Sequence, residues 1–236
     1  MNFTKFLLQT IGVVVITIYY SIVVMAKMVG RRNKSVYFKY SRNWSKGLLK
    51  ICGVTVRVQG VELLPKGESR VYIVNHSSLF DIPVLLASLD DSIRIMYKKE
   101  LEKIPFLGWN MKMSPFIAVE RESASNAMES INTAIDAIKH GESVIIFAEG
   151  TRSKDGKLQQ FKRGGFYLAA RSHKPIVPIV LKGTHLILPK KSLKFNSGAV
   201  DLVIQSPIRI ETELNRAQEK ELMKRVWDGM NAELEK

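Results

Sequence analysis

The sequence predicts an α/β fold: a central, mostly parallel sheet flanked by helices, preceded by an amino-terminal membrane-binding helical element. Three observations predict it. Beyond Gly53, short β-rich apolar runs alternate with helical stretches. Some runs, such as Ser143 to Ala148, are apolar enough to be strands buried on both faces. Ahead of them, Phe6 to Ala26 carries no charge and runs directly into a basic cluster.

At about 1.5 Å per residue, a helix over 6–26 is long enough for a hydrocarbon core of roughly 30 Å. Gln9, Thr10, Thr17 and Ser21 make it only moderately apolar. It reads as a cleaved signal peptide ending at Val24-Met25-Ala26, as a transmembrane helix, or as a helix dipping into one leaflet. Lys27, Arg31, Arg32, Lys34, Lys39, Arg42, Lys46 and Lys50 follow it and would resist translocation, which counts against the signal peptide. The other two readings put the bulk of the chain on the cytoplasmic face of the cell (inner) membrane. Tyr37, Phe38, Tyr40 and Trp44, interleaved with those cations, predict a second, interfacial helix. Residues 1–50 are therefore expected to be a membrane-anchoring segment and 51–236 one α/β domain.

Within that domain, Val54–Val58 alternates like a strand and Arg70–Val74 is a second β-rich run. Pro83 suits the first turn of a helix continuing through Val84–Ala87. Ile93–Tyr97 and Phe116–Val119 are the next strands. Ala127, Met128, Ile131, Ile135 and Ile138 recur at helical spacing, with Ser123 as N-cap and Gly141 as the stop. Ser143–Ala148, Pro175–Leu181 and Val200–Ile204 are strands, and Glu211 to the end is a polar helix.

Composition narrows the function. A formal net charge of +14 favours anionic partners. The first acidic residue is Glu62, so the excess is concentrated beside the apolar run, which suits an anionic membrane surface. No zinc-finger spacing, RNA-binding aromatic signature or helix-turn-helix is present, so no nucleic acid is expected as a partner. Cys52 is the sole cysteine, which excludes an intrachain disulfide framework and a thiolate metal site.

Of four histidines, His140 and His173 stand at predicted helix ends and His185 in a loop. His76 follows a strand directly, in Asn75-His76-Ser77-Ser78-Leu79-Phe80-Asp81. Positions five apart point about 140° apart on a helix and to opposite faces on a strand. A turn between strand and helix can bring His76 and Asp81 together, and strand ends are where α/β sites form. A carboxylate-oriented imidazole can take a proton from a hydroxyl. Asp81 could equally cap the helix while His76 bonds locally.

Phe147 to Ser153 again runs from strand to loop, followed by Lys154, Lys157, Lys162 and Arg163 among glycines, a composition suited to phosphate. Gly150 and Gly156 are six apart and Lys157 precedes Leu158, so this is no Walker A loop. No Gly-x-Ser-x-Gly elbow occurs.

Together these motifs resemble the 1-acylglycerol-3-phosphate acyltransferases of the glycerolipid acyltransferase superfamily. Asn75 through Asp81 looks like their His-x4-Asp motif. Lys99-Glu100-Leu101, Pro105, Gly108 and Phe116 to Arg121 resemble the second region, and Phe147 to Ser153 the third. Val177-Pro178-Ile179-Val180 resembles the fourth. The resemblance implies acyl transfer from a thioester of acyl carrier protein or coenzyme A to the sn-2 hydroxyl of lysophosphatidic acid. It implies His76 and Asp81 as the catalytic pair. Lys99, Arg121, Glu149, Gly150, Thr151 and Arg152 are implied in acceptor binding, with no metal or other cofactor. Glu149 is expected to orient Arg152 or bond the acceptor. Backbone amides near Gly150 are candidates for the oxyanion, and Phe106, Leu107, Trp109, Met111 and Met113 for an acyl tunnel. Two alternatives stand beside this: another acceptor, such as glycerol-3-phosphate, and a non-catalytic membrane-binding protein.

Overall fold

The computed structural model describes residues 3–29, 33–120 and 124–236. Helices α1 (Phe3–Met28) and α2 (Lys34–Cys52) lead into β1 (Val54–Gln59). Then come β2 (Val71–Val74), α3 (Asp81–Ser88), β3 (Ile93–Lys98), α4 (Leu107–Met113), β4 (Ile117–Val119) and α5 (Ala124–Lys139). The chain ends with β5 (Ser143–Phe147), α6 (Gly164–Ser172), β6 (Ile176–Lys182), α7 (Thr184–Ile187), β7 (Gly198–Ile204) and α8 (Arg216–Leu234). Arg121, read from sequence as a phosphate ligand, and Ser123, read as an N-cap, lie outside the described residues.

The seven strands form one sheet in the order β1-β7-β6-β2-β5-β3-β4. From β6 to β4 every pairing is parallel; β7 runs antiparallel to β6, with β1 parallel to β7. The expected mostly parallel sheet is present, with the reversed pair at one edge. β2 is buried along its whole length. Because strand side chains alternate, Tyr72 and Val74 enter one core with α2 and α3, while Val71 and Ile73 enter another with α5, α6 and α8.

Pro178 stands inside a central strand, where a missing N–H normally breaks a ladder. Here its carbonyl accepts from Gln205 N at 2.9 Å, at the point where the β6–β7 pairing ends at Ile179 and resumes only as a bridge from Ile176 to Ile208. The absent donor falls in that interruption.

Helix α1 packs on α2 through Gly12, which meets Ile51, and Gly47, which meets Ile16, so the helices approach closely. Asn33 caps α2 and Gly53 closes it in the left-handed conformation. The expected boundary at residue 50 falls inside α2, whose Leu49 and Cys52 are part of the sheet's core.

The helix expected from Glu211 begins at Arg216. Asn215 stops it there with a reciprocal capping box to Gln218, its side chain accepting from Ala217 and Gln218 amides. Asn215→Ala is expected to cost about 1 kcal/mol, seen as a lower denaturant midpoint at unchanged slope.

Candidate active site

The site forms where β2 and β5 end. These strands are parallel neighbours with Val74 paired to Phe147, so two residues further on His76 and Glu149 arrive side by side. Beyond Val74 the chain turns into α3, and that turn is bonded on both sides. Asn75 bridges to β6, donating to the Leu181 carbonyl at 2.9 Å and accepting its amide at 2.7 Å. Ser77 Oγ meets Thr184 Oγ1 at 2.8 Å, and Ser78 Oγ donates to the Leu188 carbonyl at 2.9 Å.

Asp81 opens α3 and is fully buried. Its Oδ2 lies 2.6 Å from His76 Nδ1 and also accepts the Ser77 and Ser78 amides at 2.9 and 3.0 Å. Asp81 thus orients the imidazole and holds the turn together. As a carboxylate only accepts, Nδ1 carries the proton and Nε2 is the basic nitrogen. The imidazole stacks on Phe147, with ring centroids 4.0 Å apart, which fixes its plane.

Glu149 has a structural role that its place in the motif does not announce. It is 3% exposed, and its two carboxylate oxygens accept the backbone amides of His76 at 2.7 Å and Gln159 at 3.0 Å. Burial raises its pKa above the usual carboxylate range, against the pull of those two amides and of His76. It therefore joins the two loops, each carboxylate oxygen being engaged by a backbone amide. Ser153 N reinforces the joint by donating to the His76 carbonyl at 2.7 Å.

Gly150 closes a turn by donating to the Phe147 carbonyl at 3.0 Å, with φ of 69°. The Lys162 side chain covers it so closely that an added Cβ would lie 2.9 Å from that stem. Its amide is engaged in the turn, so the oxyanion expectation does not rest on that N–H. Thr151 is exposed and Arg152 half-buried; Lys190 Nζ donates to the Arg152 carbonyl. No carboxylate pairs with the Arg152 guanidinium among the described residues. Lys99 is exposed just past β3 and pairs with Glu120. His185 lies in α7, where its ring covers Gly156 of the basic loop, so the loop placement expected for it is replaced by a packing role.

Leu107 and Met111 line a largely apolar cavity with Tyr20, Tyr37, Trp44 and Ile82, the last adjacent to Asp81. Trp109 is exposed instead. Sequence reasoning missed Asn75, Ser77, Ser78, Thr184 and Gln159, because their roles depend on bonds between distant segments. It also missed Trp227 of α8, whose Nε1 donates to the Gln159 carbonyl at 3.0 Å.

A buried carboxylate orienting a strand-end imidazole is an arrangement in which the imidazole can take a proton from a hydroxyl. The acyltransferase family model matches residues 55–182, and the chain belongs to that family. A chloroplastic 1-acyl-sn-glycerol-3-phosphate acyltransferase of Brassica napus is 40% identical over 153 residues, covering 64% of this chain and 44% of the relative. A 1-acyl-sn-glycerol-3-phosphate acyltransferase of Saccharomyces cerevisiae is 33% identical over 181 residues, 75% of this chain and 59% of the relative. The chain thus spans about half the length of these curated relatives. The crystal structure of a 1-acyl-sn-glycerophosphate acyltransferase from Thermotoga maritima is similar throughout, with TM-score 0.84 and 27% identity over 100% of this chain and 97% of the other.

Proposed function

We propose that the chain transfers an acyl group from a thioester to the sn-2 hydroxyl of 1-acylglycerol-3-phosphate, giving phosphatidic acid for phospholipid synthesis. The His76–Asp81 pair at 2.6 Å carries this reading, and the names of the relatives support the acceptor. His76 Nε2 takes the hydroxyl proton as the oxygen attacks the thioester carbonyl. Asp81 stabilises the imidazolium, which returns the proton to the departing thiolate. No acyl-enzyme is required. Arg152, Arg121 and Lys99 hold the acceptor's phosphate, Lys99 by exchanging its exposed pair with Glu120. The cavity beside Ile82 takes an acyl chain. The donor is acyl carrier protein or coenzyme A thioester, each an anion suited to the basic surface.

The chain works at a membrane, on the cytoplasmic face of the cell (inner) membrane. Helix α1 is long and apolar enough to cross a bilayer. It also packs on α2 and α4 and lines the cavity beside the site, which favours lying in one leaflet.

The test is acyl transfer in detergent or liposomes to lysophosphatidic acid and glycerol-3-phosphate, with each donor. Lysophosphatidic acid should be acylated at sn-2; acylation of glycerol-3-phosphate alone would replace the acceptor assignment. Arg152→Lys keeps the charge but loses the fork, and should raise the acceptor's KM by about tenfold. An unchanged KM would remove Arg152 from the phosphate site.

A further inference from the structure

We infer that the Leu186–Lys194 segment is a second lipid-contacting surface, placing Leu186 and Leu193 in an anionic leaflet and Lys191 and Lys194 on lipid phosphates. This rests on the membrane reading above and adds to it a contact outside α1 and α2. Within this segment Ile187 and Leu188 are buried, whereas Leu186 is 62% and Leu193 80% exposed. A lone exposed leucine is ordinary, but two within eight residues, at the end of α7 and in the loop after it, with lysines between and beside them, give the segment exposed apolar and basic side chains together. No acidic residue occurs from Gly183 to Val200, and Lys191 and Lys194 form no ion pair among the described residues.

Position supplies the second argument. The loop is closed by Asn196, whose amide donates to the Ile187 carbonyl at 2.8 Å and whose side chain donates to that of Leu186 at 2.7 Å. Just past it, Lys5 of α1 donates to Ser197 Oγ at 3.3 Å. At that end of α1, Phe3, Leu7 and Leu8 are exposed, and Leu8 lines a shallow depression together with Lys5 and Ser197. On its other side the loop is tied to the catalytic turn by Ser78 and to Arg152 by Lys190. The segment that carries the exposed leucines is thus bonded toward α1 at one end and toward the catalytic turn and Arg152 at the other. Anionic lipid is the occupant that answers both the apolar side chains and the uncompensated lysines.

Cys52 is buried, so a single introduced surface cysteine can be labelled selectively. An environment-sensitive fluorophore would be placed on full-length Leu193→Cys, with Leu8→Cys reporting α1 and Lys220→Cys on α8 as an aqueous control. Vesicles would be phosphatidylcholine with or without phosphatidylglycerol. The probe at 193 should blue-shift on phosphatidylglycerol vesicles and be quenched by lipids brominated on their acyl chains. Lys191→Glu/Lys194→Glu should weaken binding to those vesicles by about tenfold. If the probe at 8 enters lipid while that at 193 stays aqueous, the inference fails and the membrane reading survives. If neither enters, both fail. A shift at 193 caused by acidic acyl carrier protein and not by vesicles would assign the surface to a protein donor and overturn the inference.

Discussion

His76→Ala is expected to reduce acyl transfer by about 10²–10⁴-fold, the range associated with losing a general base. The effect should fall on turnover, with the fold intact. The His76 ring is anchored by Asp81 and Phe147, but the turn around it is held by other groups: Asn75, Ser77, Ser78 and the Asp81 carboxylate. Asp81→Asn should behave differently. An amide cannot stabilise the imidazolium as a carboxylate does, so activity falls. The weaker acceptor also loosens the bonds from the Ser77 and Ser78 amides, so thermal stability falls too. Near-wild-type turnover in folded His76→Ala would remove the base from the scheme.

Glu149→Gln is expected to be damaging for a different reason. Its two oxygens each accept a backbone amide, at 2.7 and 3.0 Å. Glutamine has one acceptor oxygen, and its NH₂ group would face the second N–H donor. One buried amide is then left without a partner, at a cost of about 1–3 kcal/mol, with donor–donor repulsion added. The basic loop should shift relative to the catalytic turn, lowering turnover by at least tenfold together with the melting temperature. Were Glu149 instead an acceptor for the substrate alone, Glu149→Gln would leave the melting temperature unchanged, and that measurement separates the roles. Trp227→Phe, which removes the bond to the Gln159 carbonyl, should weaken the same joint more mildly.

The fold was legible because the burial pattern is written in residue type. Apolar β-branched runs mark β2, β5 and β6, and the spacing of Ile131, Ile135 and Ile138 marks α5. Periodicity does not encode strand direction, so the reversal of β7 and β1 could not be read. The helix end at Asn215 was missed because a polar stretch continues on both sides of it, and only the reciprocal bonds to Gln218 distinguish the cap. At the site, the spacing of His76 and Asp81 after a strand admitted a turn that joins them, but left a capping role for Asp81 open, and the motif resemblance singled out the pair. Glu149 was singled out, but its bonds to the His76 and Gln159 amides were not foreseen. A carboxylate beside an arginine invites an ion pair in sequence, whereas the parallel register of β2 and β5 sets it against the His76 amide. The Asn75, Ser77 and Ser78 bonds reach residues more than 100 positions away, a distance no local pattern carries.

In the proposed mechanism His76 activates the lipid hydroxyl for direct attack on the thioester. The measurement that tests it most directly is a single turnover with a radiolabelled acyl thioester and excess enzyme, quenched at intervals with and without lysophosphatidic acid. Label should pass straight into phosphatidic acid, with none on the protein and no transfer on that timescale in His76→Ala. Label that accumulates on the protein without acceptor, and then moves into phosphatidic acid when acceptor is added, would contradict it.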